Sequence, residues 1–259
     1  THIVTKIIEA AVGDNFEKHL WVGGENNELN KITNNPTNRG GGSKRNYTIS
    51  GQRMIHDTDY FVTEDEKIQG IEYVKIWYNE KTSNNVSSRY VPRSEFKDTE
   101  RNNINIPAWK VLIPKTGASV FYRNLGPLGE PETLSTNTWI CRTFGSRYEA
   151  NGFSSYLRTY FYRYLVSIRS VTHNAYANVH RFVPDLANVK NPRTGKMGYE
   201  SDWIDDDLKI VFKDFITEED WKHIKATAVA ADGGKGDYEA GWTFPNGNTH
   251  HSLTLKDDE

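Results

Sequence analysis

The alternation of apolar and polar positions divides this chain into short elements of two kinds. Residues 3–12, IVTKIIEAAV, repeat apolar side chains at helical spacing and predict a short leading helix that Gly13 stops. From Trp21 to Gly51 the chain is dominated by Gly, Asn, Thr and Ser, with GGGSKR at 40–45, and a loop is expected there. Short runs rich in β-branched and aromatic residues follow: IEYVKIWY at 71–78, SRYVPR at 88–93, WKVLIPK at 109–115, SVFYR at 119–123 and TWICRTF at 138–144. Turn formers separate each run from the next, and Pro92 and Pro114 mark edges or strand ends.

Residues 153–183, FSSYLRTYFYRYLVSIRSVTHNAYANVHRFV, combine a helical apolar stripe with basic side chains and contain no Asp or Glu. Leu157, Phe161, Leu165 and Ile168 form the stripe, while Arg158 and Arg169 fall away from it, which predicts a helix with a core face and a basic face. FVPDL at 182–186 reads as extended, because the residue before a proline avoids helical geometry. After a link at 191–198, two helices are expected. The first runs from about Asp205 to Phe215 with acids in its first turn. The second starts at Thr217, where Thr217, Glu218, Glu219 and Asp220 resemble a capping box ahead of a Trp221, Ile224, Ala228 stripe. Everything after Gly233 reads as loop. The expected fold is α+β: a twisted, mainly antiparallel β core, a long amphipathic helix and a C-terminal helical pair. The expected division is a β-rich domain with its helix at 1–190 and a helical extension and tail at 191–259.

Composition narrows the function. A chain of 259 residues with 36% hydrophobic and 12% aromatic residues can build a real core. No run of about 18 apolar residues exists to form a membrane-crossing helix. One cysteine, Cys141, excludes an internal disulfide and a multi-cysteine metal cage and fits a reducing compartment, so the cytoplasm is expected. The sequons at Asn46 and Asn85 are triplets that an Asn-rich chain produces by chance. The opening residue, Thr1, leads us to expect a fragment or processed product. Net charge is only −2, but it is unevenly spread. Residues 101–190 hold 11 Lys and Arg against 4 Asp and Glu, a net +7, and residues 191–259 hold 8 against 15, a net −7. A basic middle segment is the asymmetry expected of a face that meets a polyanion.

Most catalytic patterns are weak. Gly40 to Gly42 with Ser43, Lys44 and Arg45 lack the spacing of a nucleotide loop, although Lys44 and Arg45 remain candidate phosphate contacts. His250 and His251, with Asp257, Asp258 and Glu259 beyond, offer no pre-organised metal geometry. Cys141 reads as a small buried strand residue. Asn35-Pro36-Thr37 falls short of the Asn/Asp-Pro-Pro-aromatic motif that holds a target amine for methyl transfer, so no catalytic or metal residue is assigned. Binding remains. Arg and Lys neutralise phosphates, while Arg and Asn pair with base edges. The candidate DNA contacts are Lys44, Arg45, Arg89, Arg93, Lys115, Arg123, Arg142, Arg147, Arg158, Arg169, His173, Asn174 and Arg181. For each arginine alone, a surface ion pair or an apolar stem contact is the ordinary reading. Together they have few local acids to pair with.

The order of the pieces resembles the C-terminal target-recognition region of restriction-modification adenine-specific DNA methyltransferases, including type II enzymes that fuse methylation and cleavage. Lys110, Val111, Pro114, Lys115 and Gly117 fall on a K-V-x-x-P-K/R-x-x-G strand pattern, and Gly129, Glu130 and Pro131 on a GEP turn. Arg158, Thr159, Phe161, Arg163, Leu165 and Val166 fall on a helix pattern, Phe182, Val183 and Pro184 on an FVP segment, and Asp207, Leu208, Phe212, Thr217, Glu218 and Glu219 on a closing helical pair. The resemblance covers roughly 70–230 and leaves 20–60 and 233–259 unmatched. It implies a module that grips duplex DNA while a methyltransferase domain outside this chain, using S-adenosylmethionine, flips and methylates an adenine. Two other readings stay open. Glu64, Asp65, Glu66 and Lys67, or Glu72 with Lys75, would serve a metal-dependent endonuclease; exposed aromatics would serve a glycan-binding module.

Overall fold

The computed structural model describes residues 2–22, 49, 60–79, 86–115, 128–169, 177–231, 242–243 and 249–250. Its strands in chain order are β1 (Asp14–Asn15), β2 (Trp21–Val22), β3 (Tyr73–Asn79), β4 (Val86–Pro92), β5 (Trp109–Pro114), β6 (Leu128–Gly129), β7 (Thr133–Ser135), β8 (Trp139–Phe144), β9 (Pro184–Asp185), β10 (Trp242–Thr243) and β11 (Thr249–His250). The helices are α1 (His2–Glu9), α2 (Glu100–Asn105), α3 (Arg147–Tyr156), α4 (Tyr160–Ser167), α5 (Asp205–Val211) and α6 (Glu218–Ala231). The fold is α+β.

The expected strands at 71–78, 88–93, 109–115 and 138–144 form as β3, β4, β5 and β8, and Pro92 and Pro114 each end a strand. They build two sheets. One runs β2-β8-β5-β6 with antiparallel neighbours; the other runs β4-β3-β7 with a parallel β3/β7 pair. Strand alternation explains how they stack. Val111 and Ile113 of β5 and Ile140 and Phe144 of β8 enter the core beneath the helices. Leu112, Cys141 and Trp139 point the other way and pack with Trp77 of the second sheet. Cys141 is a buried thiol outside any disulfide, and its Sγ lies 3.2 Å from Ser135 Oγ.

The long amphipathic helix is replaced by two short ones. Ser146 and Glu149 form a capping box that starts α3 earlier than expected. The chain then breaks at 157–159. Thr159 takes an extended conformation and its Oγ1 accepts from Tyr162 N at 3.2 Å, while Asp205 reaches across to accept from Tyr160 N and Phe161 N at 3.0 and 3.1 Å. Nor does α4 divide into two faces. Residues 160–166 are buried all round, including Arg163, whereas Ile168, expected in the apolar stripe, is exposed.

The C-terminal pair forms as expected. Thr217 Oγ1 accepts from Asp220 N, Asp220 accepts from Thr217 N, and Trp221, Ile224 and Ala228 are buried. Phe161 of α4 packs at a tilt against Phe212 and Trp221, ring centroids 4.9 and 5.6 Å away. One core holds Ile3 and Ile7 of α1, Phe161 and Leu165 of α4, Leu208 of α5 and Trp221 of α6, and Lys6 of α1 pairs with Asp220 of α6. This core takes residues from both sides of position 190. After Gly233, where a loop is expected, β10 pairs antiparallel with β11. The expected strand at 119–123 and the loop around 40–45 lie outside the described residues.

Candidate nucleic-acid interface

The structure sorts the candidate cations into buried, partnered and open groups. Lys44, Arg45, Arg123, His173 and Asn174 lie outside the described residues.

Arg142 belongs to the interior. On β8 it alternates with Cys141 and so points toward α3, where its guanidinium carbon sits 4.9 Å from the Phe153 ring centre and 5.0 Å from that of Tyr199. Its Nη2 is 3.0 Å from Asp185 Oδ2, and the side chains of Arg142 and Asp185 are 8% and 1% exposed. Tyr199 donates its hydroxyl to Asp185 Oδ1 at 2.8 Å, and Ala187 N donates to the same oxygen at 3.1 Å. Burial pushes the Tyr199 phenol well above its usual range, so this network holds one guanidinium against one carboxylate with a neutral phenol between backbone and acid. Arg142 cannot reach a phosphate, and its expected DNA contact is corrected to a structural ion pair.

Arg158 is largely interior as well. Burial lowers its pKa to about 10, so it stays charged at neutral pH, and its Nη2 reaches Ser154 Oγ at 3.5 Å. The expected basic face of a long helix is not present at this position, because Arg158 sits in the break between α3 and α4. Arg93 is partly buried and lies 3.6 Å from Glu132 across the surface. Arg89 and Lys115 are half-buried, at β4 and just after β5.

Arg147, Arg169 and Arg181 are open to solvent. No carboxylate of the described residues lies within ion-pair distance of these three. Arg147 starts α3 beyond Phe144, which pairs with Trp109, whereas Lys115 follows Pro114, which pairs with Trp139; the two cations occupy opposite ends of the β5/β8 ladder. Arg169 and Arg181 converge. Arg169 leaves the C-terminal end of α4, where a cation is favoured by the helix dipole, and its guanidinium covers the Phe182 ring at 4.9 Å, beside Arg181. They bracket residues 170–176, the segment that carries His173 and Asn174. Arg169, held over Phe182, and the exposed Arg181 offer forked N–H donors suited to phosphate oxygens or to guanine O6 and N7.

The alternative sites resolve differently. Glu66 is occupied by Thr63, whose backbone N and Oγ1 both donate to it at 2.7 and 2.8 Å, and Glu64 pairs with Lys67 at 2.8 Å. Those bonds hold both carboxyls below their usual range and describe a self-contained surface turn. Among the described residues no group of three or more His, Cys, Asp or Glu side chains is placed to hold a metal ion. Trp139, Trp203 and Trp221 are buried, and Trp21, Trp77 and Trp109 are half-buried, so none of these six forms an open platform for a sugar. Among the described residues no helix is long and apolar enough to cross a membrane.

Sequence reasoning missed the acids that serve this region. Asp185 and Asp205 are remote in sequence from the groups they hold, Arg142 and the N–H groups of Tyr160 and Phe161, and no local pattern announces either pairing. Lys110 is a further surprise: it is fully buried, and Nζ donates to the Ile106 carbonyl at 3.2 Å and to that of Ala108. Gly129 faces it in the β5/β6 register, where a Cβ would stand 2.9 Å from Lys110 Cβ. Comparison with family models, with curated proteins and with solved structures gives no match to this chain.

Proposed function

We propose that this chain is a sequence-specific duplex DNA recognition module of a restriction-modification enzyme. It positions a target adenine for a methyltransferase domain that is not part of the chain. The reading is carried by Arg169 and Arg181, two exposed guanidiniums beside Phe182 that bracket the polar segment 170–176. The buried helix α4 anchors the backbone that leads to Arg169, and Arg181 follows the buried His180, so in this reading a rigid scaffold sets register while residues 170–176 read bases. The basic excess of 101–190 and the ordered motif resemblance point the same way.

In this reading Arg169 and Arg181 grip phosphates or a guanine edge, His173 and Asn174 read bases, and Arg147 and Lys115 hold the DNA backbone. S-adenosylmethionine supplies the methyl group in the partner domain. At the glycine-bearing strand-to-helix turn of Gly145, the helix N-terminus is already filled by Glu149. The partners are duplex DNA and the methyltransferase domain, and the cytoplasm is the compartment where they meet.

A double Arg169→Ala, Arg181→Ala variant tests the assignment. Both side chains are exposed, so its unfolding midpoint should match that of the parent. Its affinity for duplex DNA should fall by roughly ten- to a hundredfold, about 1.4–2.8 kcal/mol. A folded variant that binds as tightly as the parent would remove these residues from the interface.

A further inference from the structure

Residues 189–203 build an exposed turn on a buried base. Asn191 is fully buried; its Oδ1 accepts from Arg193 N and Thr194 N, both at 3.0 Å, while its Nδ2 donates to the Asp202 carbonyl at 3.0 Å and to Asp207 Oδ2 at 3.2 Å. Asp207, also buried, receives Arg193 Nε and Nη2 at 3.2 Å each. The backbone closes through Asn191 N to Lys196 O and Gly195 N to Asn191 O, both 2.8 Å, and Lys190 bridges Met197. Gly195 takes the left-handed corner at φ +74°. Below, Trp203 is buried and fastens the turn to α3, its backbone N donating to Ser155 Oγ at 2.7 Å.

All of this order supports a tip that faces solvent, since residues 192–197 are exposed at every position. A solvent turn needs no buried Asn–Asp–Arg base to exist. Such a base fixes the geometry of what the tip presents, which is the form that pre-organised binding takes. The tip presents cations. Residues 186–199 contain Lys190, Arg193 and Lys196 and no Asp or Glu. Arg193 is used inward, as a strut to Asp207 and Asp202. Lys190 and Lys196 are exposed, and no carboxylate of the described residues lies within ion-pair distance of either.

Asp205, just beyond Trp203, caps the N-terminal end of α4, whereas Arg169 leaves its C-terminal end.

We infer that the turn 190–197 is a second DNA-binding site, gripping the phosphate backbone through Lys190 and Lys196; this rests on the DNA reading above. It positions the duplex and carries no base specificity. The test is the salt dependence of binding to a random-sequence duplex pool, comparing the parent chain with a Lys190→Ala, Lys196→Ala variant. Both side chains are exposed, so the unfolding midpoint should not move. If the turn grips phosphates, the slope of log affinity against log salt should become shallower by about 0.9 for each phosphate no longer neutralised, about 1.8 for the pair, with the preferred sequence unchanged. Parent binding with the same slope in the variant overturns the role of the turn and leaves the first interface standing. No parent binding at any salt overturns both.

Discussion

Arg142 and Asp185 bring opposite charges into an aromatic interior, and this explains why the one arginine of β8 is turned away from solvent. Removing one partner leaves the other charged and desolvated. Asp185→Ala should therefore cost about 3–5 kcal/mol in urea unfolding. A cost below about 1 kcal/mol would mean that Arg142 finds water or another acid. Lys110 makes a second residue-scale expectation. Burial lowers its pKa to about 7, against an ordinary 10.5. Below about pH 7 both folded and unfolded chains carry the charge, and the full cost of burying it is present. Between there and the unfolded value, the folded chain binds fewer protons than the unfolded one, so stability should rise with pH, by at most about 1.36 kcal/mol per unit for one proton. The useful window is about pH 7–9.5, below the range where tyrosines titrate. Lys110→Met should flatten that rise, and an unchanged slope in the variant would show that Lys110 stays charged. Neither residue is legible in sequence. A strand pattern gives the alternation of sides, but at 110 and 142 both sides are interior, and a cation on a strand reads as exposed.

At the scale of elements, local patterns are legible where they close on themselves. The Thr217 to Asp220 cap, the strands ending at Pro92 and Pro114, and the extended segment at Pro184 each depend on residues within a few positions, and each forms. The run 153–183 misleads because its break is made at a distance. Thr159 is a cap only when Tyr160 and Phe161 lack helical partners, and the acid that takes those two N–H groups is Asp205, far along the chain. Asp205→Ala should cost roughly 1–2 kcal/mol, the range of a missing helix cap. The cost should appear as increased amide exchange at Tyr160 and Phe161 before the rest of α4. Equal protection in the variant would show that Thr159 alone sets the start of the helix. The same break accounts for the fate of the basic face: with α4 buried all round, only the residues that leave it, Arg169 onward, present their charge to solvent.

For the whole molecule, the charge asymmetry is visible in composition, but its meaning changes with the fold. The +7 of residues 101–190 already counts Asp185 and Glu132, which in the fold pair with Arg142 and, just outside that segment, with Arg93. Part of the −7 that follows is likewise used for caps and struts at Asp205, Asp207 and Asp220. Among the described residues, Arg147, Arg169 and Arg181 are exposed with no carboxylate at ion-pair distance, as are Lys190 and Lys196 at the border of the acidic extension. Helices from both sides of 190, α1, α4, α5 and α6, share one core, and periodicity says which face of a helix is apolar but not which helix it meets. The most direct measurement is selection of this chain against a random duplex DNA pool at low and high salt with Mg2+ present, followed by sequencing of the bound fraction. A recognition module should enrich one sequence, lose affinity steeply as salt rises and leave the DNA uncut. Binding that ignores salt, enrichment of nothing, or cleavage by the chain alone would show that its basic surface serves another purpose.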